Sequence, residues 1–107
     1  MNLDTSQRTQ LDEGLAAQMA ELFSSLGDNS RVQIIAALMG GEMNVRALAA
    51  LVGISESAIS HHMRQLRQLR LVRTRKDGRY VFYALDDQHV ADLFRCGLEH
   101  VQHGSSA

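Results

Sequence analysis

Apolar residues recur at helical spacing in five windows of this chain, and a sixth stretch is split by Asp77-Gly78. Over residues 11–26, Leu15, Ala16, Met19, Ala20, Phe23 and Leu26 share one face and Gly27 suits a C-terminal stop, which predicts a helix. A second helix follows, capped by Asp28, Asn29 or Ser30, with Val32, Ile34, Ile35, Leu38 and Met39 as its buried stripe and Gly40-Gly41 at its end. Val45, Leu48, Ala49 and Leu51 predict a short third helix stopped at Gly53. Ser55 caps a fourth running to about Leu69, with Ile59, His62 or Met63, Leu66 and Leu69 facing inward. Residues 1–10 have no period and are expected to be frayed.

The order helix, glycine turn, helix over residues 46–69 is that of a helix-turn-helix. Ala49, Gly53 and Ile59 stand where the motif wants a small residue, a turn glycine and an apolar contact. In such motifs the second helix enters the major groove with its N-terminal residues leading. That makes Ser55, Ser57, Ser60, His61 and Arg64 candidate DNA contacts: hydroxyls and imidazole for base edges or phosphates, arginine for guanine or the backbone. His61 is favoured over His62, which the inner face also claims. Asp77-Gly78 then predicts a hairpin over residues 71–84, its two-residue turn setting Lys76 opposite Arg79. Like charges facing each other on a sheet are unfavourable unless an anion lies between them, so Arg75, Lys76 and Arg79 are candidate phosphate contacts. The fold expected is mainly α with a β-hairpin: a single winged helix-turn-helix domain over residues 1–107, with about five helices and a two-stranded wing.

Charge sharpens this picture. The chain's formal charge of −1 hides a segment, His61 to Arg79, that holds seven of the eleven Lys and Arg residues against one acid, Asp77. A solvated charged face would interleave acids, and a basic block on a helix plus hairpin is the electrostatic footprint of a nucleic-acid reader. At 107 residues and 45% hydrophobic content one modest core is expected, and dimerisation would bury more. No apolar run reaches the length of a membrane span, the N-terminus is polar and acidic, and Cys96 is a lone cysteine, so a reducing cytoplasm is expected.

VGISESAISHHMRQLRQLRLV followed by a basic hairpin resembles the ArsR/SmtB family of bacterial metal-sensing repressors, above all its zinc-sensing members, over roughly residues 16–103. The resemblance implies a homodimer that binds operator DNA and leaves it when metal binds.

The last window, LDDQHVADLFRCGLEHVQHG, predicts a helix over about residues 87–102. His89, His100 and His103 fall within about 60° of one another on it, but His89 and His100 are about 16 Å apart along the axis. One ion cannot reach both ends. Two such helices packed antiparallel across a two-fold axis would bring Asp87 and His89 of one to His100 and His103 of the other, giving two sites per dimer. Leu93, Cys96 and Gly97 suit close helix contact, while Val90, Phe94, Leu98 and Val101 are expected to pack on the domain. The segments 11–26 and 87–103 are the expected dimerisation helices. Three imidazoles and a carboxylate suit tetrahedral Zn2+, or Co2+ in its place. Asp-x-His, ten residues, His-x-x-His also matches the zinc site that the resemblance implies at Asp87, His89, His100 and His103. The resemblance further implies a conduit from His100 toward Arg70.

Other readings stand beside this one. Nickel would want two more ligands, for which the N-terminus offers Asp4 and the terminal amine. An oxidant could act through Cys96, though a switch usually needs a resolving thiol. Thiolate sensors of this family carry cysteines before the recognition helix, where this chain has Asn44. An enzyme is not expected, because four ligands fill the tetrahedron and no nucleophile motif appears. A zinc-stabilised dimerisation module would leave the basic wing unexplained.

Overall fold

The structure is a computed structural model and describes residues 8–105. The expectations for the first seven residues, Asp4 and the terminal amine among them, lie outside the described residues. The element order is α1 (Glu13–Leu26), α2 (Asn29–Leu38), β1 (Met43–Asn44), α3 (Val45–Val52), α4 (Glu56–Gln68), β2 (Val72–Asp77), β3 (Tyr80–Leu85) and α5 (Gln88–Ser105). This is a winged helix-turn-helix.

Each helix start is fixed by one polar side chain. Asp12, Asp28, Asn44 and Ser55 accept a hydrogen bond from the backbone N–H three residues on, at 2.7, 3.0, 2.8 and 3.0 Å, and Asp87 does the same for Val90 at 3.2 Å. Such caps satisfy an otherwise orphaned donor and are each worth about 0.5–2 kcal/mol. Asn44, which stands where a thiolate sensor would have cysteine, is thus the cap of α3. The core forms where α2, α3 and α4 converge: Ile34, Leu48, Ile59, Met63 and Leu66 are fully buried, with Leu71 and Val72 closing it from the wing side.

The two helix ends that bracket α4 are left-handed. Gly53 ends α3 at φ +82°, a value that suits glycine. After α4 the residue is Arg70, at φ +59°. The Arg70 N–H donates to the Arg67 carbonyl at 3.0 Å and the Leu71 N–H to the Leu66 carbonyl at 2.9 Å, the bond pair of a Schellman stop. A side chain at that position is strained by about 1–2 kcal/mol. Arg70→Gly is therefore expected to raise stability by roughly 0.5–1 kcal/mol after allowing for the freer unfolded chain, seen as a higher urea midpoint with unchanged m. A lowered midpoint would show that the Arg70 side chain makes good its own strain.

The wing differs from expectation in two ways. Its strands pair from Val72 opposite Leu85 to Asp77 opposite Tyr80, so the turn is Gly78-Arg79 and Lys76 faces Val81, not Arg79. The expected pair of cations at the tip is absent. The slide is two residues, which changes partners but keeps every side chain on its own face. Gly78, at φ +61°, takes the first central position, where a type II′ turn needs it. The sheet is also three-stranded, not two-stranded: Met43 and Asn44 pair with Tyr83 and Phe82, giving the order β1-β3-β2.

The protomer is spread out. Its Cα radius of gyration is 16.6 Å, against about 13 Å for a compact domain of this length. From Glu13 to Ser24, α1 is exposed except at Leu22, and α5 is exposed from Arg95 to Gly104. The expectation that Leu98 and Val101 pack on the domain is wrong: they are 44% and 67% exposed, and Val32, placed in the buried stripe of α2, is 42% exposed. The body covers only the start of α5, through Val90 and Phe94. The uncovered residues, with Phe23 and Leu93, line an apolar groove of about 410 Å³ between α1, α2 and α5. No helix among the described residues is long and apolar enough to cross a membrane.

Candidate functional site

α4 presents a basic outer face because its apolar residues sit at 59, 63 and 66 and turn every charged position outward. Ser57, His61 and Arg64 are exposed and Ser60 is half-buried, so these four candidates share the free side of the helix. Ser55 lies at its first turn, where its oxygen is engaged as the cap and its hydroxyl hydrogen remains available to donate. The four candidates and the N-terminal N–H groups of α4 present one surface suited to a groove and its phosphates.

The three wing cations are not equivalent. Lys76 and Arg79 are exposed near the turn, with Arg79 5.8 Å from the Tyr80 ring. Arg75 is exposed too, but its guanidinium is engaged by neighbours on the protein's own surface. Its guanidinium lies 4.7 Å over the Phe82 ring and donates to both carboxylate oxygens of Glu42, at 2.6 and 3.2 Å. The row Asn44–Phe82–Arg75 runs across the sheet, and Glu42, two residues before Asn44, lies on the same side. The Arg75 bond holds the Glu42 carboxyl below its ordinary value, and Glu42 in turn pushes Arg75 up. Sequence spacing missed Glu42, because nothing local links residues 42 and 75.

His62 turns inward, next to fully buried Met63. Its Nδ1 accepts from the Arg31 Nε–H at 3.1 Å, while Arg31 Nη1 donates to the Ser25 hydroxyl at 2.8 Å and to the Ser25 carbonyl at 3.4 Å. This separates two adjacent histidines by role: His61 outward, His62 inward.

The candidate metal ligands lie at the two ends of α5. Asp87 stands just before the helix, and its Oδ2 is 3.6 Å from His89 Nδ1, so these two converge at one end. The Val90 N–H holds the Asp87 carboxyl below its ordinary value and the His89 imidazole adds to this, leaving a carboxylate ready to ligate. His100 and His103, exposed and one turn apart, form the other end. Among the described residues no three such groups of one protomer gather around a point. The donor set suits zinc, but a protomer holds it as two separate halves. Cys96 is exposed between them.

Residues 28–74 match the model of the bacterial regulatory protein, arsR family. The chain is 49% identical over 87 residues to a transcriptional repressor, an SmtB homolog of Synechocystis, covering 81% of this chain and 66% of that protein, just under two thirds. It is 37% identical to a cadmium resistance transcriptional regulatory protein, a CadC homolog of Staphylococcus aureus, over 77% of this chain and 69% of that one. Among solved structures, the homodimeric winged helix-turn-helix DNA-binding domain of a Mycobacterium bovis protein superposes with a TM-score of 0.79 at 28% identity, covering 90% of this chain and 91% of that one.

Proposed function

Because this chain belongs to the arsR family of bacterial regulatory proteins, we propose that it is a metal-responsive transcriptional repressor. It binds operator DNA as a homodimer in the bacterial cytoplasm and lets go when Zn2+ or Co2+ fills two sites between the α5 helices. One observation carries this reading: each α5 holds two exposed half-sites too far apart for one ion, beside an apolar groove that the protomer leaves uncovered. A second copy completes both at once. Asp87 and His89 of one protomer and His100 and His103 of its partner would hold the metal, whose chemistry there is to pin two helices. Asn44 is spent on capping α3, so a thiolate site at that position has no ligand.

Two reading helices must sit about 34 Å apart, one turn of duplex, to bind together. Pinning the α5 helices fixes the relative pose of the protomers, and a pose that misplaces the reading helices lowers affinity. Metal and DNA then oppose each other by the same factor in both directions. Titrating a duplex selected by the protein against free zinc, then cobalt and nickel, tests the reading. Zinc or cobalt should release the duplex. Release by nickel alone would call for an octahedral site, and release by oxidant alone would point to Cys96.

Base reading and phosphate binding should separate by residue. Lys76→Ala is expected to weaken all sequences alike and to flatten the salt slope by about one unit, whereas Arg64→Ala should also relax sequence choice by about 1–3 kcal/mol at one position. Arg75 must give up Glu42 to reach phosphate, so Arg75→Ala should flatten the slope less than Lys76→Ala. Equal, uniform losses from Arg64→Ala and Lys76→Ala would undo this division.

A further inference from the structure

The Ser25–Arg31–His62 chain belongs neither to the DNA face nor to the metal half-sites, yet it joins three elements. Ser25, the one buried polar residue of the described protein, sits at the C-terminal end of α1. Arg31 comes from the first turn of α2, and His62 lies at the middle of α4. One guanidinium therefore ties the end of a candidate dimerisation helix to the helix that carries Ser57, Ser60, His61 and Arg64. We propose that Arg31 is a positioning residue for DNA reading: it holds α4 through the neutral imidazole of His62, so that protonation of His62 unlatches the reading helix and weakens DNA binding. The proposal rests on the DNA-reading function proposed above.

The chemistry of the contact sets the direction. The Arg31 Nε–H can only donate, so His62 Nδ1 must accept and the ring proton must sit on Nε2. Protonation would set an N–H against an N–H and two cations against each other at 3.1 Å. The bond would be lost and Arg31 left with Ser25 alone. Because His61 and Arg64 project from the same part of α4, a turn of the helix about its axis moves the reading residues together.

The groups around His62 agree on its state. Burial lowers its pKa first, Arg31 and then His61 lower it further, and only Asp28, the cap of α2, raises it. On the α1 side, Ser25 is uncharged and Glu21 lines the polar cleft beside Arg31. The folded value thus lies below the ordinary one of about 6.5. The latch is complete above the ordinary value and is lost as pH falls through the lower, folded one.

His62→Asn is the decisive variant, since its Oδ1 can take the place of Nδ1 as acceptor but does not titrate. Wild type, His62→Asn, Arg31→Lys and Arg31→Met are compared on a duplex selected from random sequence by the wild type at pH 7.5, with chelator present. Circular dichroism shows that each is folded. His62→Asn should match the wild type at pH 7.5 and exceed it increasingly below the pH at which His62 titrates, by up to about tenfold per pH unit. Both Arg31 variants should bind about tenfold more weakly at pH 7.5, the worth of one hydrogen bond to a charged group. Imidazole nitrogen NMR without DNA should show His62 as the Nε2–H form titrating below 6.5, and Arg31→Met should loosen that tautomer preference and raise the titration point. Identical pH profiles for wild type and His62→Asn, or a His62 proton on Nδ1, would overturn the latch. A wild type that selects no duplex at all would instead overturn the DNA-reading function, with the NMR arm still reporting on the contact.

Discussion

Phe23→Asp is expected to turn the protein into a monomer at micromolar concentration and to lower its affinity for a selected duplex by at least about 100-fold. Phe23 is 52% exposed, on the rim of a groove whose other exposed large apolar members are Val32, Leu93, Leu98 and Val101. Burying an aromatic side chain of this kind contributes about 1.5–3 kcal/mol, and a two-fold interface counts it twice. An aspartate there removes that contribution and adds an unpaired carboxylate in an apolar groove, which costs several kcal/mol more. A dimer interface weakened by about 6 kcal/mol moves its dissociation constant by about 10⁴-fold. Leu51→Asp is the control, because Leu51 is 64% exposed and lies outside this groove. Sedimentation equilibrium should separate the two. A wild type that is already monomeric, or a Phe23→Asp dimer of unchanged affinity, would refute the interface.

Helix starts were legible because a single side chain at a recognisable position makes each one. Ser55 announces α4 from the residue type alone, whereas Asp28, Asn29 and Ser30 are equal candidates to cap α2. Spacing leaves His62 or Met63 open between Ile59 and Leu66, a choice that packing makes for Met63. The wing was legible as a hairpin but not in register. Asp-Gly is a strong type I′ signal, yet Gly78 also serves the first position of a type II′ turn, and the choice falls to packing at the other end, where Val72 lies opposite Leu85. Met43–Asn44 is too short for any period to show. Val32, Leu98 and Val101 carry the periodicity of buried residues because they belong to an apolar face, and periodicity does not say whether the covering surface is in the same chain. The Glu42–Arg75 and Arg31–His62 contacts span 33 and 31 residues and leave no local trace. The candidate metal ligands were the reverse case: their spacing on one helix showed at once that a single protomer could not bring them together, and the structure keeps Asp87 and His89 at one end with His100 and His103 at the other.

That separation carries the remaining prediction. His100→Ala is expected to leave the metal-free protein bound to its duplex, because the residue lies outside the proposed DNA face, and to abolish the proposed release by zinc, a coupling typically worth about 1–3 kcal/mol. His89→Ala should do the same, since each site needs both protomers. Mixed dimers then distinguish a shared site from a local one. If both substitutions lie on one protomer, each of the two sites loses one ligand, because that protomer gives His89 to one and His100 to the other. If His89→Ala lies on one protomer and His100→Ala on its partner, both losses fall in a single site and the second keeps all four ligands. The second mixture should therefore bind one zinc per dimer tightly, while the first binds zinc only weakly at either site. Competition with a chelator of known affinity measures the difference directly. Equal zinc binding by the two mixtures would mean that the ligands do not meet across the interface, and that each α5 responds to metal on its own.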